Sequence, residues 1–582
     1  MTRQTIRLRI ADFAARHLEV QHTIHGVVAG DLALRMPVWC PGSYVVRDYA
    51  GHVSRFVARQ GNDELEHRKL DKTTWSIGIP VAGDVTVTYR VFAPELTVRT
   101  NDVNHEHAFV HPPATFFAVD GRTQDEITLG VDTPADWTVS TALPTTAGNF
   151  VARDVDHLFD SPLEIGPHTI HRFETGGRSH EFVAHGSGNA DIGRVVADTQ
   201  KIVETELEFF GDEAPYERYL FILHLVASRA GGLEHDDSCV LAWPKLEFSP
   251  EDKYRDFLTL VAHEFFHVWI VRRTRPEVLT SYDYGRETYT RLLWVFEGFT
   301  TYYQEIFPVR AGCYGVDKML ERLADHVRHE TAMQGRLHES LEESSFDSWV
   351  GLYRPGPDSR NSRTHYYLKG ALVAWKLDLL LRHRTEGRAS LDDVIRHLWQ
   401  DYGRVGKGVP EGSMGAVVRD ATGVDVDAFL EEHVRQPGRL ELEDSLATIG
   451  LRLRHKPVDA DSPEPAWIGV RHEAVEGGAR LTHVDHEGPA HAAGLMAEDV
   501  LIAVDGHRLG GDLGARLKIL SPGEVVTWTA FRADRLVQGR LTLGHDPIGT
   551  LQLVPIDEPT DAQRAAFAAW SGVGLDALNS AD

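Results

Sequence analysis

The sequence predicts a multidomain α+β chain, and three observations carry that reading. Its 582 residues are about four times an ordinary domain of roughly 150. The spacing of apolar residues changes from every second position to every third or fourth near residue 190. A polar, proline-bearing stretch, LRHKPVDADSPEPAW, then sets off a compact unit of about 80 residues.

In residues 1–180, the runs TIRLRIADF, LEVQHTIHGV, DVTVTYRVFA and EITLGVDT alternate apolar and polar positions between Gly, Pro, Asp and Asn turns, which predicts an N-terminal antiparallel β domain. Across 181–445, segments such as DFLTLVAHEFFHVWIVRR, YTRLLWVFEGFTTYYQEIF and YYLKGALVAWKLDLLLRHR have the spacing of amphipathic helices, while YLFILHLV and SCVLAWP read as strands of a small sheet. This middle part is therefore mixed α and β. Residues 186–193, GSGNADIG, lack the spacing and lysine of a phosphate loop and read as a turn before a helix. Short strands are expected through 462–546, around GPAHAAGLMAEDVLIAVDG, and one short helix in the 547–582 tail, at TDAQRAAFAAWSG.

Composition narrows the function. With 42% hydrophobic and 25% charged residues the chain can bury enough apolar surface to fold along most of its length. Sixty Lys and Arg against 86 Asp and Glu give a net charge of −26, which disfavours nucleic-acid and membrane-surface partners. Three scattered cysteines, Cys40, Cys239 and Cys313, suit neither a disulfide scaffold nor a thiolate zinc site. The opening MTRQTIRLRIADFAARHLEV lacks a signal-peptide core, and no stretch reaches the 18 or so apolar residues of a membrane span. The expectation is a soluble, cytoplasmic chain.

The chemistry concentrates at His263-Glu264-Phe265-Phe266-His267. On a helix, the two imidazoles at i and i+4 share a face and can both reach one zinc ion at about 2 Å. Glu264, between them, can take the proton of an attacking water. Thirty residues on, Glu297 interrupts the apolar run RLLWVFEGFTTYY, where a carboxylate is costly unless paired, protonated or bound to a metal. It is a candidate third ligand; the alternative is a buried ion pair with Arg272 or Arg273. Two histidines and one glutamate would leave a fourth position open, as in a catalytic rather than structural zinc site. His105, His107 and His111 form a rival cluster, better read as surface or stacked histidines. The absence of a Gly-x-Ser-x-Gly elbow weakens a serine-hydrolase reading.

HEFFHVW, LWVFEGFTTYY and HYYLKGALVAWKLDLLLR, with WCPGSYVVRDYA upstream, resemble the glycyl aminopeptidase family of zinc peptidases that carries a C-terminal PDZ domain. The resemblance implies a thermolysin-like catalytic domain, one Zn2+ per chain on His263, His267 and Glu297, Glu264 as base, and peptide substrates with a free N-terminal Gly or Ala. Gly231-Gly232-Leu233-Glu234-His235 looks like the loop of related aminopeptidases whose Glu holds the substrate's α-ammonium, with His235 in place of Asn. Tyr367 matches the tyrosine that donates to the oxyanion; adjacent Tyr366 competes for that role, and His365 is a further donor candidate. Trp467-Ile468-Gly469-Val470 resembles the carboxylate-binding loop of a PDZ domain, which implies a peptide C-terminus or extended peptide in its groove. A zinc endopeptidase with PDZ-guided capture is the nearest alternative, and a non-catalytic PDZ scaffold a more distant one.

Overall fold

The computed structural model describes residues 3–211, 214–456 and 465–579. Of the expected domain ranges, residues 1–2, 212–213, 462–464 and 580–582 lie outside these. The chain divides into two compact units, one of Met1–Tyr289, Arg310–Tyr314 and Leu398–Pro410, the other of Thr290–Val309, Gly315–His397 and Glu411–Asp582.

In the first unit, the period-two segments build an eight-stranded sheet in which Gln4–Asp12, His17–Val27, Gly83–Phe92 and Val53–Gln60 are successive neighbours. Ile6, Leu8, Leu18, Val20, Val85, Val87, Tyr89 and Val91 all point to one buried core, shared with Leu34 and Trp75 from a smaller sheet and with the adjacent Phe117. The expected antiparallel arrangement fails at one pair: Gln4–Asp12 runs parallel to Ile127–Asp132. The chain between them is long enough to return to the same end, which a tight hairpin cannot do.

A second, five-stranded sheet has the order Ile170–Thr175, Arg178–His185, Arg218–Val226, Ser238–Pro244, Gly231–Glu234. Its three central strands are parallel. Tyr219 to Leu223 are all buried, the unbroken apolar pattern of a strand covered on both faces. The hairpin Ile170–His185 belongs to this sheet, so the expected boundary at 180 falls inside a strand. Gly231–Glu234 lies at the edge.

A buried polar network joins a four-stranded sheet, which includes Asp102–Val103 and Leu163–Gly166, to this five-stranded sheet. His107 Nδ1 meets Glu164 Oε1 at 2.9 Å and its Nε2 meets Asp102 Oδ2 at 3.1 Å. Glu164 also receives His224 Nε2 at 2.9 Å, and the His185 ring stacks on His107 with centroids 3.4 Å apart. Arg16 pairs with Asp102. The rival histidine cluster is thereby dispersed: His105 lies against Phe13, His107 sits between two carboxylates, and His111 is buried beside Tyr49. The segment, a three-residue strand followed by a short turn, is too irregular to line the three up on one face.

The second unit is mainly helical, with Gly298–Arg310, Val316–Thr331 and Tyr366–Arg384 as its longest elements. The expected tail helix is present as Asp561–Ser571, capped by Thr560 and Gly572. Its Trp570 donates to Tyr302 Oη at 2.8 Å, and Tyr302 in turn donates to Asp378 at 2.8 Å. Leu451–His455 pairs with Leu551–Pro555, so the segments entering and leaving the C-terminal module lie side by side. The module itself is a five-strand path from Val470–Val475 to Arg535–Thr542, with short helices Pro489–Ala492 and Leu513–Lys518 around a core of Ile468, Leu481, Leu501 and Trp528. No helix among the described residues is long and apolar enough to cross a membrane.

Burial opposes the charge on His107, but hydrogen bonds to Asp102 and Glu164 outweigh it and raise its pKa from 6.5 to about 9. Its contribution to stability is therefore full below pH 6.5 and is lost as pH rises through about 9. His107→Gln should cost about 3–5 kcal/mol at neutral pH. The gap in urea midpoint between wild type and variant should narrow from pH 6.5 to 9; a constant gap would contradict a charged His107.

Candidate functional site

The Glu251–Phe266 helix lies in the first unit. Glu251 and Asp252 complement its N-terminal dipole, while Phe257, Leu258, Val261, Ala262 and Phe265 bury its inner face. His267 caps the C-terminus, and its ring stands perpendicular to that of His263, 89° between planes and 4.6 Å between centroids. Its Nδ1 lies 2.8 Å from the carbonyl of Ile270. A carbonyl only accepts, so Nδ1 carries the proton and Nε2 of the neutral ring keeps its lone pair. That lone-pair nitrogen is 3.0 Å from His263 Nε2. The turn that follows places Val271 at φ +85, a left-handed conformation that strains a β-branched residue.

Glu264, buried, lies against the edge strand Gly231–Glu234. A Cβ at Gly232 would fall 1.9 Å from Glu264 Oε1. Glu234 is two residues further, hence on the same face of the strand, about 7 Å along it. Its own carboxylate rests on the backbone of the Cys40–Ser43 turn. A Cβ at Gly42, whose φ is +79, would be 2.4 Å from Glu234 Oε1, an oxygen that is buried without a hydrogen-bond partner. Beside it is a cavity of only about 10 Å³, lined by Trp39, Gly42, Tyr44, Glu234, Val271 and Tyr282.

The rest of this strand's turn is fixed by charge. His235 Nδ1 meets Asp160 at 3.0 Å, and Arg272 bridges Asp160 at 2.7 Å and Asp236 at 3.0 Å. Arg273 pairs with Asp237 at 2.8 Å. Burial opposes ionisation of Asp236, but Arg272 and Arg273 hold it well below the usual carboxylate range. Arg99 donates to the Gly232 carbonyl at 3.1 Å.

Glu297, Tyr366 and Tyr367 lie in the second unit. Glu297 is 2% exposed and follows the buried run Leu293–Phe296. The glycines after Glu297 and after Tyr367-Leu368-Lys369 allow two helices to touch: a Cβ at Gly298 would be 2.7 Å from Gly370 Cα, and one at Gly370 would be 2.9 Å from the Trp294 carbonyl. Burial, reinforced by the negative charge of Glu297, raises the Tyr367 phenol well above its usual range and keeps it protonated. Tyr366 is fully buried, whereas Tyr367 is half-buried and its hydroxyl lies 3.0 Å from that of Tyr353. His365 caps this helix, accepting from Leu368 N at 3.3 Å, and burial lowers its pKa to about 4. In the module loop, Trp467 and Gly544 exchange two backbone bonds of 2.9 Å, Ile468 and Gly469 accept from Ala490 and Asp485, and Val470 opens the first strand. Gly42, Val271 and Tyr353 were not singled out from the sequence; only the run WCPGSYVVRDYA pointed near the first of them.

Residues 5–167 match the family model described as the peptidase M61 N-terminal domain, and residues 256–373 match that of the M61 glycyl aminopeptidase. Among solved structures, an aminopeptidase N family protein from Idiomarina loihiensis is similar over 97% of this chain and 99% of its own, at 28% identity and a TM-score of 0.91. An M1 zinc metallopeptidase from Deinococcus radiodurans, solved as a mutant bound to a Tyr-Ser-Ala substrate, is similar over 75% of this chain and 94% of its own, at 15% identity and a TM-score of 0.47. No curated protein matches the chain. The matches support a peptidase, hence a hydrolase.

The seating of Glu264 on Gly232 makes a testable demand. Gly232→Ala should cost about 1–3 kcal/mol through overpacking, read by urea unfolding, and shortening the acid with Glu264→Asp should recover part of it. Undiminished stability in Gly232→Ala would mean that Glu264 does not lie there.

Proposed function

We propose that this chain, which carries the N-terminal and catalytic domains of the M61 glycyl aminopeptidase family, is a zinc-dependent aminopeptidase that removes an N-terminal Gly or Ala from peptides. The observation that carries the proposal is the edge strand Gly231–Glu234, where Glu264 lies over Gly232 and Glu234 follows on the same face. An extended peptide can pair along this sheet edge, where the Gly232 carbonyl accepts from Arg99. Its α-ammonium would meet the Glu234 carboxylate, two strand positions or about 7 Å beyond Gly232, and that contact would fix the first peptide bond beside Glu264.

His263, His267 and Glu297 are proposed as the metal ligands. They are one of two sets of side chains among the described residues whose donors suit a metal ion. The fit to zinc rests on donor chemistry: two imidazoles and a carboxylate, with the lone pair of His267 Nε2 directed toward His263 by the Ile270 carbonyl. Zinc, when bound, supplies Lewis acidity to water and to the scissile carbonyl. Glu264 then accepts the water's proton and returns it to the leaving amine. Tyr367 donates a hydrogen bond to the developing oxyanion, a role its protonated, half-buried phenol supports better than the fully buried Tyr366. The small cavity beside Glu234 supports a minimal first side chain, since about 10 Å³ has room for roughly one water. The C-terminal module is read as a PDZ domain with Trp467–Val470 as its loop.

Hydrolysis of a Gly-initiated peptide and its N-acetylated form, by wild type, Glu264→Gln and Glu234→Ala, tests the reading. Acetylation should abolish cleavage by wild type, and Glu264→Gln should keep zinc yet lose about 10²–10⁴ in kcat. Glu234→Ala should lose about one to two decades in kcat/KM on the free peptide only. Equal losses on both peptides would favour the endopeptidase.

A further inference from the structure

We propose that Tyr353 is a positioning residue for Tyr367, and that the C-terminal module holds it in place through the loop 350–365. The proposal rests on the oxyanion role given to Tyr367 above. A phenol has one proton. If Tyr367 gives its proton to the substrate, it must be the acceptor in its 3.0 Å contact with Tyr353, and Tyr353 the donor. Donation from Tyr353 polarises the Tyr367 hydroxyl and fixes its direction, strengthening the bond it gives.

The loop carrying Tyr353 is held at both ends and gripped from the module. Before Tyr353, its amide donates to the Ser348 carbonyl at 3.2 Å. After it, residues 354–358 are exposed. Beyond these, Arg363 bonds Glu339 at 2.6 Å and Asp347 at 3.0 Å, and Thr364 N bonds Glu339 at 2.6 Å, leading directly into the helix of Tyr367. An exposed segment of this kind opens readily unless something outside it restrains it. The module provides that restraint. His483 Nδ1 donates to the Pro357 carbonyl at 2.8 Å. Buried Asn361 donates to the Val484 carbonyl and accepts from His486 N, each at 3.1 Å. Asp485, between these residues, also donates its amide to Gly469 at 2.8 Å, so the same strand end that grips the loop is bonded to the Trp467–Val470 turn.

The test measures kcat, KM and zinc content of the full chain on a free Gly-initiated peptide. The variants are Tyr353→Phe, Asn361→Ala and His483→Ala, each alone and with Tyr367→Phe. Tyr353→Phe should lower kcat roughly three- to tenfold, the worth of one neutral hydrogen bond, with KM within about twofold and zinc retained. Asn361→Ala should lower kcat in the same sense. His483→Ala covers the case in which Asn361→Ala does not fold. None of the three should add to the loss caused by Tyr367→Phe. A normal kcat in Tyr353→Phe, or the same further loss on top of Tyr367→Phe, would overturn the proposal. A normal kcat in Tyr367→Phe alone would instead overturn the oxyanion assignment beneath it.

Discussion

Glu264 can stand over the edge strand only because residue 232 has no side chain. The same device recurs two residues on, where Glu234 lies on the left-handed Gly42. Each glycine removes a Cβ that would otherwise displace a carboxylate by more than an ångström. An error of that size in a proton-accepting or ammonium-binding group is enough to spoil reaction geometry. The two acids, for which different tasks are proposed, are thereby placed along one strand by backbone geometry rather than by flexible side chains.

Buried carboxylates are expensive, and the first unit manages them differently according to use. Asp160, Asp236, Asp237, Asp102 and Glu164 are each compensated by Arg or His at hydrogen-bond distance, and they anchor the turn after Glu234 and join a four-stranded sheet to the five-stranded one. Glu234 keeps one oxygen buried without a partner. An acid oxygen left unsatisfied beside a small cavity has capacity for a ligand. In the second unit, glycines again govern approach: Gly298 and Gly370 let the segment of Glu297 and the helix of Tyr367 meet backbone to backbone.

Much of this was legible from spacing. Alternation located the strands Gln4–Asp12, His17–Val27, Gly83–Phe92 and Ile127–Asp132, helical spacing located the Glu251–Phe266 and Tyr366–Arg384 helices, and the His-x-x-x-His interval put His263 and His267 together. Periodicity could not reveal partners. It did not distinguish the parallel pairing of Gln4–Asp12 with Ile127–Asp132, nor assign Ile170–His185 to the second sheet, because strand neighbours are set by long-range packing. Gly42 was visible only within a family-like run, since its role depends on an acid 192 residues away, at position 234. Tyr353 carries no local signal at all: an aromatic in a polar loop becomes informative only when its hydroxyl is seen beside that of Tyr367.

The central claim is that two imidazoles and one carboxylate hold a single zinc beside Glu264. Cys40 and Cys239 are buried free thiols, so the ligand shell is a sharp discriminator. Zinc quantification combined with X-ray absorption on the purified chain tests it most directly. The account requires about one zinc per chain, a shell of nitrogen and oxygen donors at about 2.0–2.2 Å with two-imidazole scattering, and loss of the metal in His267→Ala. A sulfur donor at about 2.3 Å, or full zinc occupancy in His267→Ala, would contradict it.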